Sequence, residues 1–145
     1  MQKIVPFLWF DGKAEEAAKF YVSIFKNSKI LSANPMSVTF QLEGQPFYAL
    51  NGGPQYKFTP AISLFVNCET QQEVDELWGK LSASKADEQC GWLKDKYGLS
   101  WQIIPTVLGK LMGDKNPKKA NAAVQAMLKM KKIDIKGLQQ AFDAA

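Results

Sequence analysis

Residues 4–25 read Ile4-Val5-Pro6-Phe7-Leu8-Trp9-Phe10-Asp11-Gly12-Lys13-Ala14-Glu15-Glu16-Ala17-Ala18-Lys19-Phe20-Tyr21-Val22-Ser23-Ile24-Phe25, and this stretch decides the fold. The first seven are almost continuously apolar, the pattern of a strand buried on both faces. Asp11-Gly12 breaks it. From Lys13 the apolar residues Ala14, Ala17, Ala18, Tyr21, Ile24 and Phe25 recur at helical spacing, with Glu15 and Glu16 placed favourably in the first turn. Working outward, Asn27-Ser28 ends the helix. Ser37 to Leu42 alternates as a half-buried strand, and Glu43-Gly44-Gln45 turns it into Pro46 to Leu50, a hairpin. Asn51-Gly52-Gly53-Pro54 then marks a loop.

The pattern restarts. Ala61 to Val66 is a second apolar strand, followed by Thr70 and Glu73 at capping-box spacing and a helical face of Val74, Leu77, Trp78 and Leu81. Gln89 to Leu93 and Leu99 to Ile104 read as strands joined by Asp95-Lys96-Tyr97-Gly98. Laid over each other, Pro6 to Phe10 matches Ile62 to Val66, Phe20-Tyr21 matches Leu77-Trp78, and Gly44 before Tyr48 matches Gly98 before Gln102. Three matches in order predict a duplicated β-α-β-β-β unit, α+β in class. After Pro105 the chain reads as helical: Val107 to Met112, Pro117 to Met130 and Ile133 to Phe142. The organisation is a single domain, 1–145, with module one about 1–54, module two about 58–105 and a helical extension about 106–145.

Composition limits the chemistry. All 18 basic residues are lysines, set against 14 acids, and neither histidine nor arginine occurs. This excludes a histidine-based nucleophilic pair, an imidazole base and histidine metal ligands, together with bidentate guanidinium clamps. No apolar run approaches the ~20 residues of a membrane span, and the start shows no export pattern, so the expectation is a cytoplasmic protein with reduced Cys68 and Cys90 and no membrane partner. Six lysines fall between Lys118 and Lys136. Without arginine or interleaved aromatics they read as a solvated helical face, not as a nucleic-acid footprint.

Leu8 to Gly12, Glu15-Glu16-Ala17, Phe20-Tyr21, Ala49 to Pro54, Gln89 to Asp95, Gly98 to Gln102 and Met127 to Asp134 together resemble the PhnB-like proteins. That group carries a demethylubiquinone methyltransferase-like label and belongs to the vicinal oxygen chelate superfamily of glyoxalases, bleomycin-resistance proteins and dioxygenases. The resemblance implies paired modules whose strands form a cup-shaped mixed sheet, in a homodimer. The link between Ile30 and Val38 is shorter than the glycine-rich excursion such proteins carry. In metal-using relatives four side chains line the cup; the matching positions here are Pro6 (or Val5), Tyr48, Ala61 and Gln102. Only Gln102 could coordinate at neutral pH, and one amide oxygen cannot hold a divalent ion. The expectation is therefore no metal and no cofactor. A Rossmann-type methyl transferase needs a glycine-rich turn opening a helix, and Asn51 to Pro54 opens none.

These residues predict a small-molecule pocket drawn from Pro6, Leu8, Tyr48, Ala61, Ser63, Ser100 and Gln102, serving to bind or sequester a ligand. The alternative is a metal-independent isomerase, lyase or thiol-conjugating enzyme, with Cys90 or Tyr48 as its catalytic candidates.

Overall fold

In the computed structural model, which describes residues 2–145, the chain is mixed α+β and divides into a first unit ending at Phe58 and a second, Thr59–Ala145. The first unit runs β1 (Phe7–Phe10), α1 (Ala14–Ile24), β2 (Lys29–Ala33), β3 (Ser37–Leu42) and β4 (Gln45–Asn51). Its sheet has the order β1-β4-β3-β2, with β1 parallel to β4 and the other pairs antiparallel. Alternation places Leu8, Phe10, Val38, Phe40, Phe47 and Ala49 in the core with Ala14, Ala17, Ala18 and Tyr21 of α1. Small residues on α1 allow close approach to the sheet, and Tyr21 stacks at 6.4 Å from Phe40, which itself stacks on Phe47. Glu43 and Gly44, at φ +49° and +81°, form the two-residue turn that joins β3 to β4.

The second unit runs β5 (Ser63–Cys68), α2 (Gln71–Leu81), a single 3₁₀ turn (Lys85–Asp87), β6 (Trp92–Lys94) and β7 (Ser100–Pro105). Helices α3 (Thr106–Met112), α4 (Pro117–Leu128) and α5 (Ile135–Ala144) follow. The sheet order is β5-β7-β6, with β5 parallel and β6 antiparallel to β7. The predicted capping box is present in its first half and shifted by one residue in its second. Thr70 Oγ1 accepts from the Glu73 amide, while the Glu73 carboxylate reaches back to the Glu69 amide, one residue before the cap.

The repeat is incomplete here: this unit has three strands where the duplicated pattern predicts four. Its counterpart of β2 is the segment after α2, and three observations explain why that segment cannot extend. Glu88 accepts from Trp78 Nε1 and Ser82 Oγ, which fastens the segment to the end of α2. Ala83 donates its amide to Lys94 O at the start. At the end, Cys90 and Gly91 take φ +40° and +89°, left-handed conformations foreign to a strand. The expected strand from Gln89 accordingly begins only at Trp92, and Gln89 makes a lone bridge back to that residue.

The tail helices bury their own core of Leu108, Leu111, Ala123, Ile133 and Leu138 together with Ile104 of β7. Cys90 and Gly91 hold this tail by donating their amides to Met130 O and Lys131 O, while Gly91 O receives the Ile103 amide. A Cβ on Gly91 would fall 2.4 Å from Ile104 Cδ1, a side-chain tip that can move aside, so glycine is needed here chiefly for its φ.

Candidate functional site

The sequence-predicted pocket residues fall in both units. In the first, Pro6 accepts the Tyr48 amide at 3.0 Å, and Tyr48 lies opposite both Phe7 and Thr39 in the ladders. Its ring meets Phe7 edge-on at 6.2 Å on the sheet face away from α1, where Phe7 is 59% exposed. Leu8 points the opposite way and is buried in the core.

In the second unit, Ala61 is exposed in the turn before β5, its amide bonded to Thr59 Oγ1. Ser63 faces Ser100 in the β5–β7 ladder, and the Gln102 amide nitrogen donates to Ser63 Oγ at 3.0 Å. Gln102 lies between Phe65 and Trp92 on the same face. Trp101, one residue on, turns inward as its parity predicts, and its indole nitrogen donates to Asp95 Oδ2 at 2.9 Å. Asp95 is itself buried and also accepts from the Tyr97 and Leu99 amides, so this carboxylate is consumed by the turn it builds.

Beside β6 lies an open hollow of about 400 Å³, lined by Pro60, Ala86, Asp87, Gln89, Cys90, Trp92, Leu93, Lys94 and Ser100. Ala86, Asp87, Gln89 and Cys90 belong to the segment that fails to become a fourth strand. Lys94 Nζ pairs with Asp87 at 3.8 Å, both about a third exposed, so the lining charges offset each other. Ser100 is 1% exposed, and its hydroxyl bonds to no other described residue. No described buried polar side-chain atom is both unpartnered and sealed from solvent. The residual surface of Ser100 is therefore at its hydroxyl, which opens on the hollow it lines. Sequence reasoning selected Ser100 and Cys90. It missed Pro60, Asp87, Gln89, Trp92 and Lys94, because the hollow exists only where an expected strand is absent.

The two thiols differ. Cys68 is fully buried at the end of β5, and desolvation, with Glu73 and Glu69 nearby, pushes its pKa up to about 12. It stays protonated and inert. Cys90 is half-buried and lines the hollow. Among the described residues, no group of three or more Cys, Asp or Glu is placed to hold a metal ion. Pro6 and Ala61 have no side-chain donor, Tyr48 contacts Phe7 and Gln102 is engaged with Ser63, so these positions do not fit a metal centre.

The glycine loop after β4 has a structural purpose. Asn51 Oδ1 accepts the first amide of α1, from Ala14, supplying the cap that Lys13 does not. Trp9 Nε1 donates to Gly53 O, and a Cβ on Gly52 would lie 2.3 Å from the Trp9 ring. The loop is a seat for an indole.

The family model described as 3-demethylubiquinone-9 3-methyltransferase matches residues 2–104. A PhnB protein from Bacillus cereus is 39% identical, with 72% of this chain and 100% of that one covered, at a TM-score of 0.62. A Staphylococcus aureus protein is 32% identical over 70% of this chain and 94% of its own, at a TM-score of 0.33. A Pseudomonas aeruginosa protein at 18% identity shares the fold, at a TM-score of 0.55 over 72% and 98% of the two chains. No curated protein matches this chain. The family match ends where α3 begins, so the resemblance seen in Met127 to Asp134 lies outside it. The chain belongs to the PhnB-like, 3-demethylubiquinone-9 3-methyltransferase family.

Proposed function

We propose that this protein binds or sequesters a small molecule without a metal or cofactor, as a cytoplasmic homodimer, and that the hollow beside β6 is its binding site. The observation that carries this reading is the hollow itself. Apolar walls from Pro60, Trp92 and Leu93 surround a few polar groups, the composition of a small-molecule site. Tyr48 and Gln102, each on the sheet face away from its unit's helix, are proposed as further ligand contacts.

Methyl transfer, which the family's name suggests, gains no support from the glycine loop. Gly52 and Gly53 are occupied by Trp9, and the loop opens no helix. The second reading, a metal-independent isomerase, lyase or thiol-conjugating enzyme, is favoured by one feature, the Cys90 thiol in the hollow wall.

Thermal-shift screening of a small-molecule library, followed by equilibrium dialysis of the hits, tests the binding reading. Ligands that raise the melting temperature of the wild type and lose this effect in Trp92→Ala support it; a library without hits counts against it. Stoichiometric zinc, nickel, iron or manganese in protein purified without chelator would overturn the metal-free reading. A monomer in sedimentation would overturn the dimer.

A further inference from the structure

We infer that the hollow beside β6 is shaped for an uncharged, flat, mostly apolar molecule carrying a carbonyl or hydroxyl oxygen, which the Ser100 hydroxyl would bind. This rests on the reading of the hollow as a binding site and adds the class of its ligand.

The first argument is the hydroxyl. Stripping most of the water from a hydroxyl is unfavourable unless a partner replaces it, and alanine would fill the same space on β7 without that cost. Ser100 is nevertheless 1% exposed, unbonded to any other described residue, and open on the hollow. A ligand oxygen is the partner that would complete it. The second is charge. The one cation of the lining, Lys94, already faces the one anion, Asp87, at 3.8 Å, so an ionic ligand would meet opposed charges and gain little from either. The third is the wall. The Trp92 indole is the largest lining side chain, and an aromatic ring pairs well with a planar partner, stacked or edge-on.

Cys90 gives the test its readout, because it lines the same hollow while Cys68 is buried and held protonated. N-phenylmaleimide is flat, uncharged and carries two carbonyls. A thiol adds across its double bond, the sulfur bonding one carbon and the thiol hydrogen ending on the other. Alkylation of Cys90 in the full chain is followed by mass spectrometry with this reagent, with iodoacetamide and with iodoacetate, each normalised to its rate with glutathione.

The expected result is a normalised preference for N-phenylmaleimide on the order of tenfold, the scale of one ring contact and one hydrogen bond. N-phenylsuccinimide, which lacks the reactive double bond, should slow iodoacetamide at Cys90. Ser100→Ala should weaken both effects to the share left by the Trp92 contact, with the melting temperature unchanged or raised. Protection of the wild type by N-phenylsuccinimide stands as a test without the variant. A normalised preference for iodoacetate would overturn the ligand class and leave the binding reading intact. Glutathione-like ratios for all three reagents, with no protection, would overturn both.

Discussion

The two units begin alike and end differently. Each opens with a strand, a helix of 11 residues and a hairpin whose second strand pairs in parallel with the first. In the first unit the segment after the helix becomes β2 and completes a four-stranded sheet, and a glycine loop is filled by Trp9. In the second, the equivalent segment is fastened to α2 through Glu88 and turned away by Cys90 and Gly91. The sheet stops at β6, and the residues that would have formed its next strand line a hollow instead. A duplicated framework thus ends in two different edges: one copy completes a four-stranded sheet, and the other stops at β6 beside the hollow.

The sharpest way to break this contrast is to overfill the glycine loop of the first copy. Gly52→Ala places a methyl carbon 2.3 Å from a rigid indole that is also bonded to Gly53, so the ring must leave its seat. The expected loss is about 3 kcal/mol, the upper range of overpacking, measured by urea unfolding. Hydrogen exchange should rise in β1 and β4 and remain unchanged in β7. An unaffected variant would mean that the glycine loop is free for another purpose.

The corresponding change in the second copy is Gly91→Ala. Ile104 Cδ1 can swing aside, so the cost comes mainly from a φ of +89°, about 2 kcal/mol. Exchange should rise first in the amides of residues 90 and 91 and in α4 and α5, the part this turn holds. Asn51→Ala, which removes the substitute cap of α1, is expected to lose about 1 kcal/mol, with its effect confined to the first unit.

Strand and helix positions were legible because period-two and helical spacing leave direct marks, as in β3, where Ser37 to Leu42 matches the observed limits. The capping-box spacing of Thr70 and Glu73 was legible because it too is a local mark. The parallel ladders show what was not. They pair Phe7 with Tyr48 and Phe65 with Gln102, so Phe7 corresponds to Phe65, whereas aligning the apolar runs matched Phe7 to Ser63. Apolar runs carry no register; ladder hydrogen bonds set it. The late start of β6, at Trp92 where the sequence reads a strand from Gln89, was hidden in the same way. Gln89-Cys90-Gly91-Trp92 has strand-like composition, and what bends it is bonding to Met130 and Lys131, some forty residues away in the tail. The hollow was out of reach because it depends on that long-range contact.

The smallest expected effect concerns the second fastening of the tail. Gln71 donates to Ile133 O and accepts from the Ile135 amide, while Lys132 pairs with Asp75 at 2.9 Å. The hydrogen bond from Gln71, then that from Lys132, lowers the Asp75 pKa below the ordinary carboxylate value. A carboxyl lowered on folding stabilises the native state above its unfolded pKa, near ~4, and that contribution fades as pH falls through the lower folded value. The pair is exposed, so salt and water reduce its worth to well under ~1 kcal/mol. Wild type should therefore lose slightly more stability than Asp75→Asn between about pH 5 and pH 3, with the difference shrinking in high salt. Exchange in α5 is the place to read it, because this fastening and the Cys90–Gly91 turn hold the same tail. Identical acid profiles for the two proteins would leave the left-handed turn, with its glycine, as the dominant tether between the tail and the open edge.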